Sequence, residues 1–148
     1  MKYMKINKLS TLAVAESCTG GAIAKKIVAK SSASAYFKGG VVAYSNEAKA
    51  EILGVSPALL KKYGAVSRQV VLAMAEGASK IFKTEYAVST SGIAGPLGAT
   101  KNKPVGLVWI AVKTPQKLTA KKFIFKGSRA AVIKQATDTA LKLLENLS

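Results

Sequence analysis

Residues 11–30 read TLAVAESCTGGAIAKKIVAK, and this stretch decides the fold. Residues 11–16 (TLAVAE) form a short apolar run, the pattern of a buried strand. Ser17-Cys18-Thr19-Gly20-Gly21 follows, and then residues 22–30 carry a helical pattern. Strand, tight turn and helix start is the opening of an α/β unit.

Working outward, residues 37–45 (FKGGVVAYS) predict a second strand. Asn46 is positioned as an N-cap for a short helix to Leu53, stopped by Gly54. Ser56-Pro57 opens the next helix, with Lys61 and Lys62 in its last turn and Gly64 after it. Ser67 caps a longer helix to about Lys83, with Val70, Met74, Ala78 and Ile81 at helical spacing. Residues 85–91 (EYAVSTS) predict a third strand, which runs into Gly92-Ile93-Ala94-Gly95-Pro96. Residues 105–112 (VGLVWIAV) suit a strand covered on both faces, and residues 119–125 a further one. Residues 128–147 form an amphipathic helix with Ile133, Ala136, Ala140, Leu144 and Leu147 on one stripe. No repeat, linker or low-complexity tract interrupts the chain. The expectation is a single domain over 1–148, a three-layer α/β/α fold around a mostly parallel or mixed sheet of about five strands.

Composition narrows the chemistry. The 148 residues contain no histidine, which excludes a Ser-His-Asp triad, a Cys-His pair and a His-ligated zinc site. Cys18 is the one cysteine, so disulfide frameworks and all-cysteine metal sites are excluded too. Asp138 is the one aspartate, which leaves little for a carboxylate-bridged metal. These counts leave little room for a metal site. The base of a cofactor-free enzyme would have to be Lys, Tyr or Glu.

The chain carries 23 Lys+Arg against 7 Asp+Glu, a formal charge of +16, and its arginines are Arg68 and Arg129 alone. Readers of DNA sequence lean on Arg, whereas dispersed Lys describes a solvated surface, so nucleic acid is disfavoured as a partner. No acidic residue lies between Glu85 and Asp138, so this half favours an anionic ligand. No apolar run approaches the ~18 residues of a membrane span. Glu16 ends the first apolar run too early for a secretory signal, and the expected location is the cytoplasm.

Three groups of residues can carry chemistry. The turn at Ser17, Thr19, Gly20 and Gly21 opens a helix, where free N–H groups attract anions; a plainly capped helix explains it equally. Cys18 beside it is expected to be a structural thiol. The turn that starts at Ser91 and Gly92 follows a strand, where ligands gather in open α/β sheets, and the two turns can face one cleft. Ser34, Tyr44 and Lys49 offer a hydroxyl, a phenol and an amine around the second strand. Local sequence alone favours reading them as an exposed Ser, a strand Tyr and a surface Lys.

In this order, the segments at 15–21 (AESCTGG), 33–49 (ASAYFKGGVVAYSNEAK), 53–55 (LGV), 64–67 (GAVS), 91–96 (SGIAGP), 103–106 (KPVG) and 127–129 (GSR) resemble the C-terminal domain of the competence/damage-inducible, CinA-type proteins. Stand-alone members of that family are nicotinamide-nucleotide amidases. The resemblance runs from about residue 11 to the C-terminus. It implies hydrolysis of the carboxamide of nicotinamide mononucleotide to nicotinate mononucleotide and ammonia. It places the family's catalytic set on Ser34 as nucleophile, Lys49 as base and Tyr44 as helper. Ser91 and Arg129 match further functional positions, and the phosphate is assigned to the Thr19-Gly20-Gly21 helix start or to Arg129. No metal and no organic cofactor is implied; a small-molecule nucleotide is the implied partner, and a homo-oligomer, with a dimer favoured, the implied assembly. The chain departs from the family at Leu97, Ala99 and Thr100, where relatives run Asp/Gly-rich, and at Ser128, where relatives often carry Asp.

A Ser-Lys pair supplies nucleophile and base without histidine. Free Lys titrates at ~10.4, so a base working near pH 7 needs a shift of about 3 units, roughly 4 kcal/mol. Burial and nearby cations both act in that direction. The rival reading is a catalytically degenerate module of the same fold that binds nucleic acid, a nucleotide or a competence partner through its charge.

Overall fold

The computed structural model describes residues 10–147. The ends of the expected 1–148 domain, residues 1–9 and Ser148, lie outside the described residues. In chain order the elements are β1 (Leu12–Glu16), α1 (Ala22–Val28), a 3-10 turn (Ala33–Ala35), β2 (Phe37–Val42), α2 (Asn46–Glu51) and α3 (Pro57–Tyr63), then α4 (Arg68–Phe82), β3 (Tyr86–Gly92), β4 (Leu107–Lys113), β5 (Leu118–Ile124) and α5 (Arg129–Leu147).

The five strands form one mixed sheet in the order β2-β1-β3-β4-β5. β1 pairs in parallel with β2 on one side and β3 on the other, and β4 and β5 continue the sheet antiparallel. The first chain segment through the sheet therefore lies between its two parallel neighbours. In such a sheet the crevice opens at the carboxyl ends of the strands on either side of the switch point. Those ends are Glu16 of β1, Val42 of β2 and Gly92 of β3.

Alternation along β1 explains the layers. Leu12 and Val14 point to one face, where Ile23 and Ile27 of α1 and Val132, Ala136, Leu141 and Leu144 of α5 close a buried cluster. Ala13 and Ala15 point to the other, against Val70, Met74 and Ala78 of α4. β4 is buried on both faces as expected, with Val108, Ile110 and Val112 on the α5 side and Ala111 on the α4 side. No helix among the described residues is long and apolar enough to cross a membrane.

Several local expectations shift. Ser45, not Asn46, caps α2, and its hydroxyl accepts from the Ala48 N–H. The buried stripe of α4 runs to Phe82, whereas Ile81 is exposed. The reason is Gly39: a Cβ there would lie 2.5 Å from the Phe82 ring, so the bare glycine makes the ring's seat. On α5, Val132 and Leu141 join the buried stripe, and Ile133 and Leu147 flank it.

Candidate active site

Ser17 stands one residue past the end of β1, and its backbone N–H donates to Thr90 O of β3 at 3.1 Å. The turn that follows is held by Glu16, whose buried carboxylate accepts from Thr19 Oγ1 at 2.6 Å and from the N–H groups of Ile23 and Ala24 at 2.9 and 3.0 Å. Thr19 Oγ1 also meets Thr90 Oγ1 at 2.9 Å, which ties the turn to the central strand. Glu16 is thus the acceptor for the first turn of α1. Neither Ser17 nor Thr19 caps the helix, whose N-cap is Gly21 at φ 102°. This corrects the expectation of a phosphate at the Thr19-Gly20-Gly21 helix start. The free donors there already face a carboxylate, and none of the three lines the cleft described next.

A cleft of about 250 Å3 opens between this turn, the start of α2, the 64–67 connection, the turn after β3 and the start of α5. Ser17, Cys18, Tyr44, Lys49, Ser91, Gly92 and Arg129 all line it, so the two glycine turns do share one cleft. Lys49 projects from α2 and is 1% exposed. Its Nζ donates to Ser17 Oγ at 3.0 Å, to Ala43 O at 3.0 Å and to Tyr44 O at 3.4 Å. No carboxylate balances this amine among its bonded partners. Burial therefore lowers its pKa below the ordinary lysine value, with the neighbouring Cys18 acting the other way. Cys18 is buried, and loss of solvent pushes its thiol up to about 11, as an inert structural thiol requires.

Tyr44 is 64% exposed at the mouth of the cleft. Its phenol oxygen accepts from Arg129 at 3.0 Å, and a second guanidinium nitrogen of Arg129 donates to Gly95 O at 2.7 Å. Arg129 thus links α5 to two walls of the cleft and faces it with a fixed cation. Ser91 donates to Ala65 O at 2.8 Å and fastens the 64–67 connection over β3.

Ser34 is not brought to this cleft. It is exposed in the 3-10 turn before β2, and the six residues of β2 separate that turn from Tyr44. At about 3.3 Å per residue the strand spans about 20 Å, so Ser34 and Lys49 stand at opposite ends of the sheet. The serine on the Lys49 amine is Ser17. The phenol of Tyr44 is likewise turned to Arg129, and only its carbonyl meets Lys49. Asn46, Val66, Leu97 and Gly98 also line the cleft; the sequence marks Asn46 only as a cap, Leu97 only as a departure from the family, and none of the four as a site residue. The turn residues flanking each glycine were the available signal.

Fold and site together define an α/β protein with its ligand cleft at the switch point of a mixed sheet and a serine–lysine contact at its base. The chain belongs to the CinA C-terminal domain family, whose description matches residues 2–148. It is 49% identical over 136 residues to the nicotinamide-nucleotide amidohydrolase PncC of Escherichia coli K12, covering 91% of this chain and 82% of that one. It is 48% identical over 134 residues to a CinA-like protein of Fervidobacterium nodosum, covering 90% of this chain but 33% of that one. The chain thus spans about a third of the longer curated relatives and most of the shorter one. Among solved structures, the competence damage-inducible protein A of Klebsiella pneumoniae superposes with a TM-score of 0.90 at 34% identity, over 93% of this chain and 85% of that one. The competence/damage inducible protein of Agrobacterium tumefaciens does so with a TM-score of 0.90 at 38% identity, over the same 93% and 85%.

Proposed function

We propose that the chain is an amidohydrolase that converts nicotinamide mononucleotide to nicotinate mononucleotide and ammonia, serves pyridine-nucleotide recycling in the cytoplasm, and uses residues 1–148 as one catalytic domain. The observation that carries the reading is the buried Lys49 amine 3.0 Å from Ser17 Oγ at the base of the cleft. The relative named as a nicotinamide-nucleotide amidohydrolase, which matches over most of both chains, supports the substrate.

In this mechanism neutral Lys49 takes the Ser17 proton as Oγ attacks the carboxamide carbon. The oxyanion is assigned to backbone N–H groups of the two turns that wall the cleft, at Cys18 and Ala94. The Lys49 ammonium returns its proton to the departing nitrogen, and ammonia leaves a nicotinoyl ester on Ser17. Water then attacks the ester, giving its proton to Lys49, and the pyridine carboxylate leaves as Ser17 regains its hydrogen. Arg129 holds the ribose phosphate, and Tyr44 steadies Arg129 at the mouth rather than serving the proton transfer.

The test is ammonia release from nicotinamide mononucleotide, nicotinamide riboside and nicotinamide by the purified protein. Activity on the phosphorylated substrate alone is expected. Ser17→Ala and Lys49→Met should each lower kcat by about 10⁴ or more, as loss of a nucleophile or its base does. Ser34→Ala should leave kcat within about twofold, the ordinary effect of an exposed change remote from the site. Near-normal turnover in Ser17→Ala would overturn the assignment. Nucleic-acid binding that falls steeply with salt, together with no ammonia from any of the three amides, would favour the binding module instead.

A further inference from the structure

A second cleft, of about 430 Å3, opens on the α4 face of the sheet beside the catalytic one. Its floor includes Trp109 of β4 and Lys122 of β5, which stand directly opposite each other in the antiparallel register. Arg68, the first residue of α4, and Lys103 line it as well. No acidic side chain lines it among the described residues. Lys103 donates to Tyr63 O at 2.6 Å, which fixes its amine in place. Arg68 and Lys122 are exposed, and neither takes part in the Lys26–Asp138 or Lys134–Asp138 ion pair.

Trp109 is the protein's one tryptophan and is only half-buried, and Ile124 beside it is 59% exposed. A half-buried indole with cations around it and no anion has the chemistry for a planar base and a phosphate. The start of α4 adds its dipole to the same side, with no acidic residue in its first turn. The cleft is separate from the catalytic one. Trp109 faces Ser91 of β3 across the strand pair, and Ser91 with Ala65 and Val66 forms the wall between the two.

We propose that this second cleft binds a mononucleotide, its base stacked on Trp109 and its phosphate held by Arg68 and Lys122. The site is independent of the amidase reading, because it uses none of the residues assigned to that reaction.

Because Trp109 is the one tryptophan, intrinsic tryptophan fluorescence of the purified protein reports this cleft. The experiment titrates AMP, adenosine and inorganic phosphate separately. AMP is expected to quench saturably, with adenosine and phosphate each binding at least about tenfold more weakly, a difference of about 1.4 kcal/mol. Arg68→Ala and Lys122→Ala should each weaken AMP by about tenfold on the same scale, and Arg129→Ala should leave it unchanged. Adenosine binding as tightly as AMP would overturn the phosphate contact, and phosphate binding as tightly would overturn the stacking. Absence of saturable quenching would overturn the site. So would quenching lost in Arg129→Ala and kept in Arg68→Ala and Lys122→Ala, which would place the nucleotide in the catalytic cleft.

Discussion

An amine buried to 1% exposure with two carbonyls and a hydroxyl as partners sits where its charged form is poorly solvated. The pKa of Lys49 is lowered from the ordinary lysine value of about 10.4, and burial is the main cause. The base must be neutral to take the Ser17 proton, so kcat/KM should rise tenfold per pH unit below the depressed pKa and level off above it. The plateau should begin below pH 10.4 (about the free lysine value). A rate still climbing at that pH would mean that the amine is not the base. Stability follows the same group with a definite sign. Between the folded and unfolded pKa values the unfolded chain binds more protons, so folding gains stability as pH rises through that window. Denaturant unfolding of the wild type and of Lys49→Met should therefore diverge in the wild type's favour with rising pH. The hydrogen bonds lost in the variant add only a constant offset, which drops out of the slope.

At the scale of elements, periodicity located all five strands and the five helices to within a few residues, because each alternation or stripe is a local property of the chain. What it misassigned depended on a partner far away in sequence. The choice of Phe82 over Ile81 rests on the bare Gly39 of β2. The acceptor for the start of α1 is Glu16, a strand residue that local rules place outside the helix it serves. Gly77 makes the point testable. Inside α4 it looks like a weak helix position that alanine would improve by about 1 kcal/mol. A Cβ there would stand 2.1 Å from the Leu53 carbonyl oxygen, which is backbone and cannot move aside cheaply. Gly77→Ala should therefore bring no gain and lower stability by up to about 2 kcal/mol net, since overpacking of a close contact costs about 1–3 kcal/mol against the helix gain of about 1 kcal/mol. Chemical denaturation decides it, and a gain in the midpoint would show that α4 can shift away from the 53–55 segment.

At the scale of the whole molecule, the residues around the cleft were legible as motifs but their meeting was not. Ser34, Tyr44 and Lys49 lie within one short stretch, yet β2 carries Ser34 to the far end of the sheet. Ser17 is distant from Lys49 in sequence, but the parallel pairing of β1 with β2 returns both chain ends to the same edge. The direction of strand pairing made that distinction, and no local pattern contains it.

The net charge of +16 acts at this scale as well. No acidic residue lies between Glu85 and Asp138, and Arg129 faces the cleft from within that basic stretch. The field at the cleft mouth should draw in the phosphorylated substrate, whose phosphate outweighs its pyridinium charge, and disfavour the same pyridinium without its phosphate. Raising ionic strength from about 0.01 to 0.15 M shortens the screening length from about 30 to about 8 Å, which removes distant lysines and leaves Arg129 in contact. For nicotinamide mononucleotide, kcat/KM should fall several-fold over that range while kcat stays level. Nicotinamide riboside keeps the pyridinium cation without the phosphate, so any residual kcat/KM for it should rise rather than fall with salt, as screening relieves repulsion. Arg129→Ala should lower kcat/KM at every salt concentration and leave the salt slope in place, because the slope belongs to the lysines and the offset to the contact. A flat profile for the phosphorylated substrate would mean that the lysines are only a solvated surface, with recognition confined to the cleft.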